Sequence, residues 1–133
     1  MCLCSCRQRK PKSLDDFIIL GKLGSGYFGS VSKVQYKGDE KVYALKSISQ
    51  EKFKMKENEA LEIDYIREKH ILYDLTKKNN PHIVKLYADF QDSKSRYLLM
   101  EFCEGTTLQN LRGNVSGGYV DQNLVNLIFT INL

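Results

Sequence analysis

The sequence contains no run of about 18 apolar residues, so it predicts no membrane-spanning helix. Its first ten residues also lack an apolar core long enough for a secretory signal peptide. Only four cysteines are present: Cys2, Cys4 and Cys6 crowd the start, and Cys103 lies far away, which is not the pattern of a disulfide framework. These absences favour an intracellular, cytoplasmic protein in a reducing compartment.

The body of the chain has no excess of positive charge. The formal net charge is +4, but Arg7, Arg9, Lys10 and Lys12 all precede the first acidic residue, Asp15. Residues 13–133 therefore carry 16 basic and 16 acidic side chains. A body that bound nucleic acid would need a basic face of its own, so nucleic acid is not an expected partner.

Residues 1–13 are predicted to form a flexible basic leader, and three interpretations of it stay open. S-acylation of Cys2, Cys4 and Cys6, with the basic cluster as a second anchoring signal, would attach the chain to an acidic membrane leaflet. A thiolate metal site would have at most three ligands here. The third interpretation is a tail without a role. N-myristoylation is excluded because a cysteine, not a glycine, follows Met1.

A glycine-rich stretch lies between two strand-like runs. Gly24, Gly26 and Gly29 let the backbone approach phosphate groups that a Cβ atom would keep away. Strands are predicted over 17–20, 31–36 and 42–48, with a turn at 37–40. Lys46 follows on the third strand and can reach phosphates with three donors, while Ala44 on the same face leaves room for a flat ring.

Residues 58–76 have the spacing of a helix. One stripe repeats at intervals of four and three residues and consists of Leu61, Tyr65, Glu68, Leu72 and Leu75. The carboxylate of Glu68 in this apolar stripe is costly to desolvate unless a cation meets it. The sequence therefore predicts an ion pair between Glu68 and Lys46.

Two further strands, over 83–87 and 96–102, are separated by a polar turn at 91–95. Five strands with one helix after the third make an α+β lobe. Beyond it, short helices are predicted over 107–111 and 120–133, and the second has an apolar stripe without a cap. The predicted organisation is a leader at 1–13, a lobe at 14–103 and an incomplete second part at 104–133.

The glycine motif alone is weak, but its context is specific. A dinucleotide-binding loop would open a helix, whereas residues 30–34 continue as a strand, and the Gly-Lys-Ser/Thr of a Walker A loop is absent. With Ala44-Leu45-Lys46 added, the sequence resembles the amino-terminal lobe of the eukaryotic protein kinases, from about Leu14 to Gly105. The glycine loop and the phrase Leu-Tyr-x-x-Phe lean towards serine/threonine kinases of the AGC and Aurora type.

The resemblance implies a five-stranded antiparallel sheet with a helix C, followed by a hinge and the first helices of a truncated carboxy-terminal lobe. It also implies ATP as ligand, with Lys46 on the α- and β-phosphates and Glu68 orienting it. Leu72 and Leu86 look like part of the family's hydrophobic spine. The implied nucleotide-binding residues are Leu23, Gly24, Ser25, Gly26, Tyr27, Phe28, Gly29, Val31, Ala44, Lys46, Glu68, Met100, Glu101 and Cys103.

The catalytic parts of such a kinase are missing from these 133 residues. There is no His-Arg-Asp catalytic loop and no Asp-Phe-Gly to hold Mg²⁺; Asp89-Phe90-Gln91 precedes the hinge and fits the fourth strand. No catalytic residue and no metal ligand are therefore predicted, and Mg²⁺ and a protein substrate are expected only for a complete kinase. The sequence favours a catalytically incomplete part of a serine/threonine kinase. The alternative is a non-catalytic interaction module, which the leader would tether to a membrane.

Overall fold

A computed structural model of the chain describes residues 10–26, 29–54 and 59–105. A 3₁₀ turn over Leu14–Asp16 leads into strand β1, Phe17–Gly26. Strands β2, Gly29–Tyr36, and β3, Val42–Ser49, follow. A short helix α1, Gln50–Lys54, precedes helix α2, Glu59–Lys77. Strands β4, Leu86–Gln91, and β5, Ser95–Glu101, complete a unit that ends at Phe102; a second unit begins at Cys103.

The five strands form one antiparallel sheet in the order β1-β2-β3-β5-β4. The α+β architecture with a five-stranded antiparallel sheet and a helix after the third strand is therefore confirmed. Helix α1 was not predicted, because five residues are too few to show a periodic pattern. The predicted helices over 107–111 and 120–133, and the leader cysteines Cys2, Cys4 and Cys6, lie outside the described residues.

The glycine stretch is more regular than predicted. Strand β1 continues from Phe17 to Gly26, past its predicted end at residue 20, and β2 begins at Gly29 rather than at Val31. Gly24 pairs with Val31, and Gly26 pairs with Gly29. The glycine stretch is thus the end of a β-hairpin, since cross-strand pairing extends the ladder through residues that lack strand propensity.

The fourth strand was predicted over 83–87 but spans Leu86–Gln91. Where it begins, the N–H of Lys85 donates to the carboxylate of Glu101 (3.2 Å), and the N–H of Leu86, the first strand residue, donates to the hydroxyl of Thr76 (2.8 Å). Side chains therefore take donors that a strand partner would otherwise satisfy. The strand starts later than its apolar residues indicate.

The turn after β4 is shorter than the predicted 91–95. The Asp92 carboxylate accepts hydrogen bonds from the N–H groups of Lys94 and Ser95, each at 2.8 Å, and from the hydroxyl of Tyr97 at 3.0 Å. One aspartate side chain closes the turn in this way. Gln91 and Ser95 are consequently strand residues.

The sheet buries a different set of apolar residues on each face. The first cluster consists of Phe17, Val34, Tyr36, Leu45, Tyr97 and Leu99. The second faces α2 and consists of Ile48, Leu61, Tyr65, Leu86 and Leu98, with Leu72 packed against it. Leu72 and Leu86 thus belong to one cluster. Only Leu61 and Tyr65 of α2 are buried, so this helix contributes few apolar side chains to the contact with the sheet.

Candidate nucleotide-binding site

The predicted ion pair is present. The ammonium of Lys46 on β3 donates to both carboxylate oxygens of Glu68 on α2, at 2.6 and 2.8 Å. The side chains keep 16% and 37% of their exposure, respectively, so the amine is the more enclosed partner. A partly buried ammonium held by a bidentate carboxylate is oriented, and its side chain keeps some exposure.

The register of the sheet explains what surrounds Lys46. Lys46 is paired with Val31 on β2 and with Leu98 on β5, and two residues earlier Ala44 is paired with Met100. Cross-strand partners share a face, as do residues two apart on one strand. Val31, Ala44 and Met100 therefore lie on the same face of the sheet as the Lys46 ammonium, as the predicted adenine wall requires.

The three glycines differ in whether the fold requires them. Gly29 has φ +143°, and a Cβ there would lie 2.2 Å from the carbonyl oxygen of Ser47, so the fold itself demands glycine. A Cβ on Gly24 or Gly26 would meet no protein atom within 4 Å. Packing among the described residues therefore gives no reason for glycine at those two positions. Gly24 and Gly26 thus leave the backbone of β1 uncovered by side chains, next to Val31 on β2.

The remaining candidate residues are placed as follows. Leu23 is half-exposed on β1, and Ser25 is exposed beside it. The N–H of Glu101 donates to the carbonyl of Lys85 (2.9 Å), so this N–H is already engaged within the protein. Cys103 is exposed and belongs to the second unit. Tyr27 and Phe28 lie outside the described residues.

Two more ion pairs join α2 to the sheet, and sequence reasoning missed both. Arg96 at the start of β5 contacts Glu62 at 2.6 Å, and Lys69 of α2 contacts Asp89 of β4 at 3.0 Å. These four side chains also line a groove of about 440 Å³ between α2 and the end of β4. Charged residues on a strand and a helix carry no local signal of pairing, because the strand register that brings them together is a long-range property.

The hydroxyl of Tyr65 stays protonated at physiological pH, so the side chain is uncharged. Burial, together with the nearby Asp89 carboxylate, raises the pKa of Tyr65 to about 12, although the charge of Arg96 acts in the opposite direction. The ring therefore presents an uncharged face to its neighbours on α1 and β5.

Within the described residues, no group of three or more His, Cys, Asp or Glu side chains could hold a metal ion. None of the helices in that part of the chain is both long enough and apolar enough to cross a membrane.

Comparison with known proteins agrees with this geometry. The family model described as "Protein kinase domain" matches residues 17–130. A serine/threonine-protein kinase cot-1 of Neurospora crassa is 39% identical over 103 residues, covering 77% of this chain and 16% of that protein. Serine/threonine-protein kinase N3 of Mus musculus is 36% identical over 107 residues, covering 80% and 12%.

A serine/threonine-protein kinase CBK1 of Yarrowia lipolytica is 35% identical over 105 residues, covering 78% of this chain and 17% of that protein. The chain thus spans less than a fifth of the length of these three relatives. The resemblance inferred from the glycine stretch, Lys46 and Glu68 is confirmed.

Proposed function

Because this chain belongs to the protein kinase domain family, we propose that it forms the ATP-binding part of a serine/threonine protein kinase. The observation that carries the proposal is the bidentate contact of Lys46 with Glu68, on the sheet face that also holds Ala44 and Met100. An ammonium enclosed in this way beside small and flexible apolar side chains suits a ligand with a flat ring and a polyphosphate chain.

The residues present fit such a ligand. Gly24 and Gly26 leave a strand edge where a Cβ would meet no protein atom, although nothing in the packing asks for glycine there. Glycine at such positions lets backbone N–H groups lie close to a phosphate. When bound, ATP supplies the phosphoryl group that a kinase transfers to a protein hydroxyl.

Each residue then has a separate task. Lys46 donates to phosphate oxygens, and Glu68 keeps its ammonium pointed at them. Leu23, Val31, Ala44 and Met100 exclude water from the ring. The carbonyl of Glu101 accepts from the edge of the ring, since the N–H of this residue is already engaged with the carbonyl of Lys85.

These 133 residues bind nucleotide without transferring phosphate. The sequence contains no His-Arg-Asp and no Asp-Phe-Gly, the segments that supply the catalytic base and the Mg²⁺ ligand in protein kinases. Positioning and charge neutralisation at the transferred group provide nearly all of the catalysis in kinases. Transfer to a protein substrate therefore requires residues that this sequence does not contain.

Titration of the chain with a fluorescent ATP analogue tests the proposal. Lys46→Met should weaken binding about tenfold or more, because a phosphate loses its ionic donor. Lys69→Met is the matched control: this lysine also pairs with a carboxylate at 3.0 Å, but it joins α2 to β4 away from Ala44 and Met100. Equal binding by the wild type and Lys46→Met would contradict the proposal.

A second candidate function is a non-catalytic interaction module. Ile63, Ile66, Ile71 and Tyr73 on α2 are all exposed, so this helix presents apolar area that a protein partner would cover. On this view the leader tethers the module through Cys2, Cys4 and Cys6. A chain that stays monomeric, binds nucleotide and shows no membrane partitioning that depends on those cysteines would favour the first function.

A further inference from the structure

Arg96 has an unusual set of contacts for a residue at the start of a strand. Its guanidinium carbon lies 4.0 Å from the ring centre of Phe53 on α1 and 5.5 Å from that of Tyr65 on α2. One of its terminal nitrogens donates to the carboxylate of Glu62 at 2.6 Å. The two rings also meet edge to face, with centres 5.7 Å apart. One side chain of β5 thus joins both helices.

Arg96 is enclosed to a degree that a surface ion pair is not. Its side chain retains 21% exposure, against 66% for Arg67, which pairs with Asp64 on the same helix. The Nε–H of Arg96 is buried and has no hydrogen-bond partner among the described residues. The two aromatic faces and the Glu62 carboxylate stabilise this enclosed guanidinium, whereas the Nε–H without a partner is a cost that a water-exposed arginine does not have.

The position of α2 depends on such contacts because its apolar packing is limited. Only Leu61 and Tyr65 are buried among the 19 residues of the helix. Glu62 and Glu68 lie six residues apart, roughly 9 Å along the helix axis. A contact that holds Glu62 to β5 therefore also limits where Glu68 can be relative to Lys46 on β3.

We propose that Arg96 is a positioning residue for helix α2. Through its contacts with Glu62 and Tyr65 of α2, and with Phe53 of α1, it holds α2 where Glu68 meets Lys46. Arg96 thereby sets the position of α2 relative to β3, whether or not a nucleotide is bound. Its consequence for nucleotide binding rests on the proposed function, because the apparent dissociation constant rises as the fraction of molecules with an oriented Lys46 falls.

The test compares Arg96→Met, Arg96→Lys and Glu62→Gln with the wild type. Arg67→Met is the matched control. It is the same substitution, but Arg67 pairs with Asp64 within α2 and so does not connect this helix to the sheet. The first readout needs no nucleotide: a carbodiimide joins contacting lysine and carboxylate groups directly, and mass spectrometry measures the yield of the Lys46–Glu68 cross-link. The second readout is the affinity for a fluorescent ATP analogue.

We expect Arg96→Met to lower the cross-link yield and the nucleotide affinity about fivefold each, and Arg96→Lys to keep an intermediate yield because the charge remains. Arg67→Met should match the wild type in both. If Arg96→Met does not fold, Glu62→Gln decides, because this side chain is 42% exposed and its exchange leaves the core intact.

An unchanged cross-link yield in folded Arg96→Met and Glu62→Gln would overturn the proposal. So would an equal loss in Arg67→Met, or a wild type that forms no Lys46–Glu68 cross-link. A cross-link that falls as expected in a chain that binds no nucleotide would support the positioning role and refute the proposed function instead.

Discussion

On one face of the sheet, aromatic and aliphatic side chains from β1, β2, β3 and β5 interlock, with Phe90 stacked on both Phe17 and Tyr97. On the other face, α2 buries two residues and is joined to β3, β4 and β5 by one ion pair each. The first face is stabilised by non-directional burial, whereas the second is positioned by directional charged contacts. The candidates Val31, Ala44, Lys46 and Met100 lie on the second face, where a change in a few contacts can move an element.

The largest expected difference between the faces concerns core truncation. Leu45→Ala should lower the free energy of unfolding by about 4 kcal/mol, because Leu45 is only 2% exposed in a cluster with residues of β1, β2 and β5, where neighbouring side chains cannot fill the cavity. Leu61→Ala should cost about 2 kcal/mol, since α2 can shift into the space. Urea unfolding of both variants measures the two values. Equal losses would show that α2 is as firmly packed as the sheet.

Glycine substitutions should separate a requirement of the fold from one of the ligand. Gly29→Ala should destabilise the chain by about 2–3 kcal/mol, because its φ and the nearby Ser47 carbonyl both exclude a Cβ. Gly24→Ala should leave the unfolding free energy within about 1 kcal/mol of the wild type but weaken the binding of an ATP analogue. Thermal unfolding and a binding titration distinguish these results. A strongly destabilised Gly24→Ala would show that the fold, and not the ligand, requires glycine at this position.

Loss of the central ion pair should affect stability only slightly. Lys46→Met removes the partner of Glu68, but that carboxylate is partly exposed and can be hydrated, so we expect a loss of about 1 kcal/mol or less. Chemical denaturation measures this value beside the nucleotide titration of the same variant. A loss comparable to that of Leu45→Ala would mean that the pair holds the fold together, which would remove the contrast between the faces.

The smallest expected effect concerns acid stability. Burial raises the pKa of the Asp92 carboxyl, but hydrogen bonds from the N–H groups of Ser95 and Lys94 and from the Tyr97 hydroxyl outweigh it, so the pKa lies below its usual value. This contribution to stability is present above the unfolded-state pKa of about 4 and is lost as the pH falls through the lower folded-state value.

Asp92→Asn should therefore reduce the acid sensitivity of unfolding, while its stability at neutral pH decreases slightly. Thermal melts between about pH 2.5 and 7 provide the measurement. Asp64→Asn, on the exposed side of α2, is the control. If the wild type and Asp92→Asn have parallel pH profiles, the turn between β4 and β5 does not depend on the ionised carboxylate.

The comparison also indicates how far sequence reasoning reaches. The pairing of Lys46 with Glu68 was predictable because a helical stripe with one carboxylate and a strand with one lysine each have a local period. The predicted start of β4 was wrong, because the carboxylate of Glu101 and the hydroxyl of Thr76, distant in sequence, accept from the N–H groups of Lys85 and Leu86. Arg96 and Glu62 were missed because neither stands out in its own segment.

The sequence alone determined the α+β class and the central ion pair, since these follow from residue spacing and periodicity, and its motifs carried the resemblance to the protein kinases. Only the tertiary structure decided which glycine the fold needs, where the β4–β5 turn lies and that Arg96 joins both helices to the sheet. The physical reason is range: periodicity acts over a few residues, whereas register and enclosure arise when segments far apart in the chain come together.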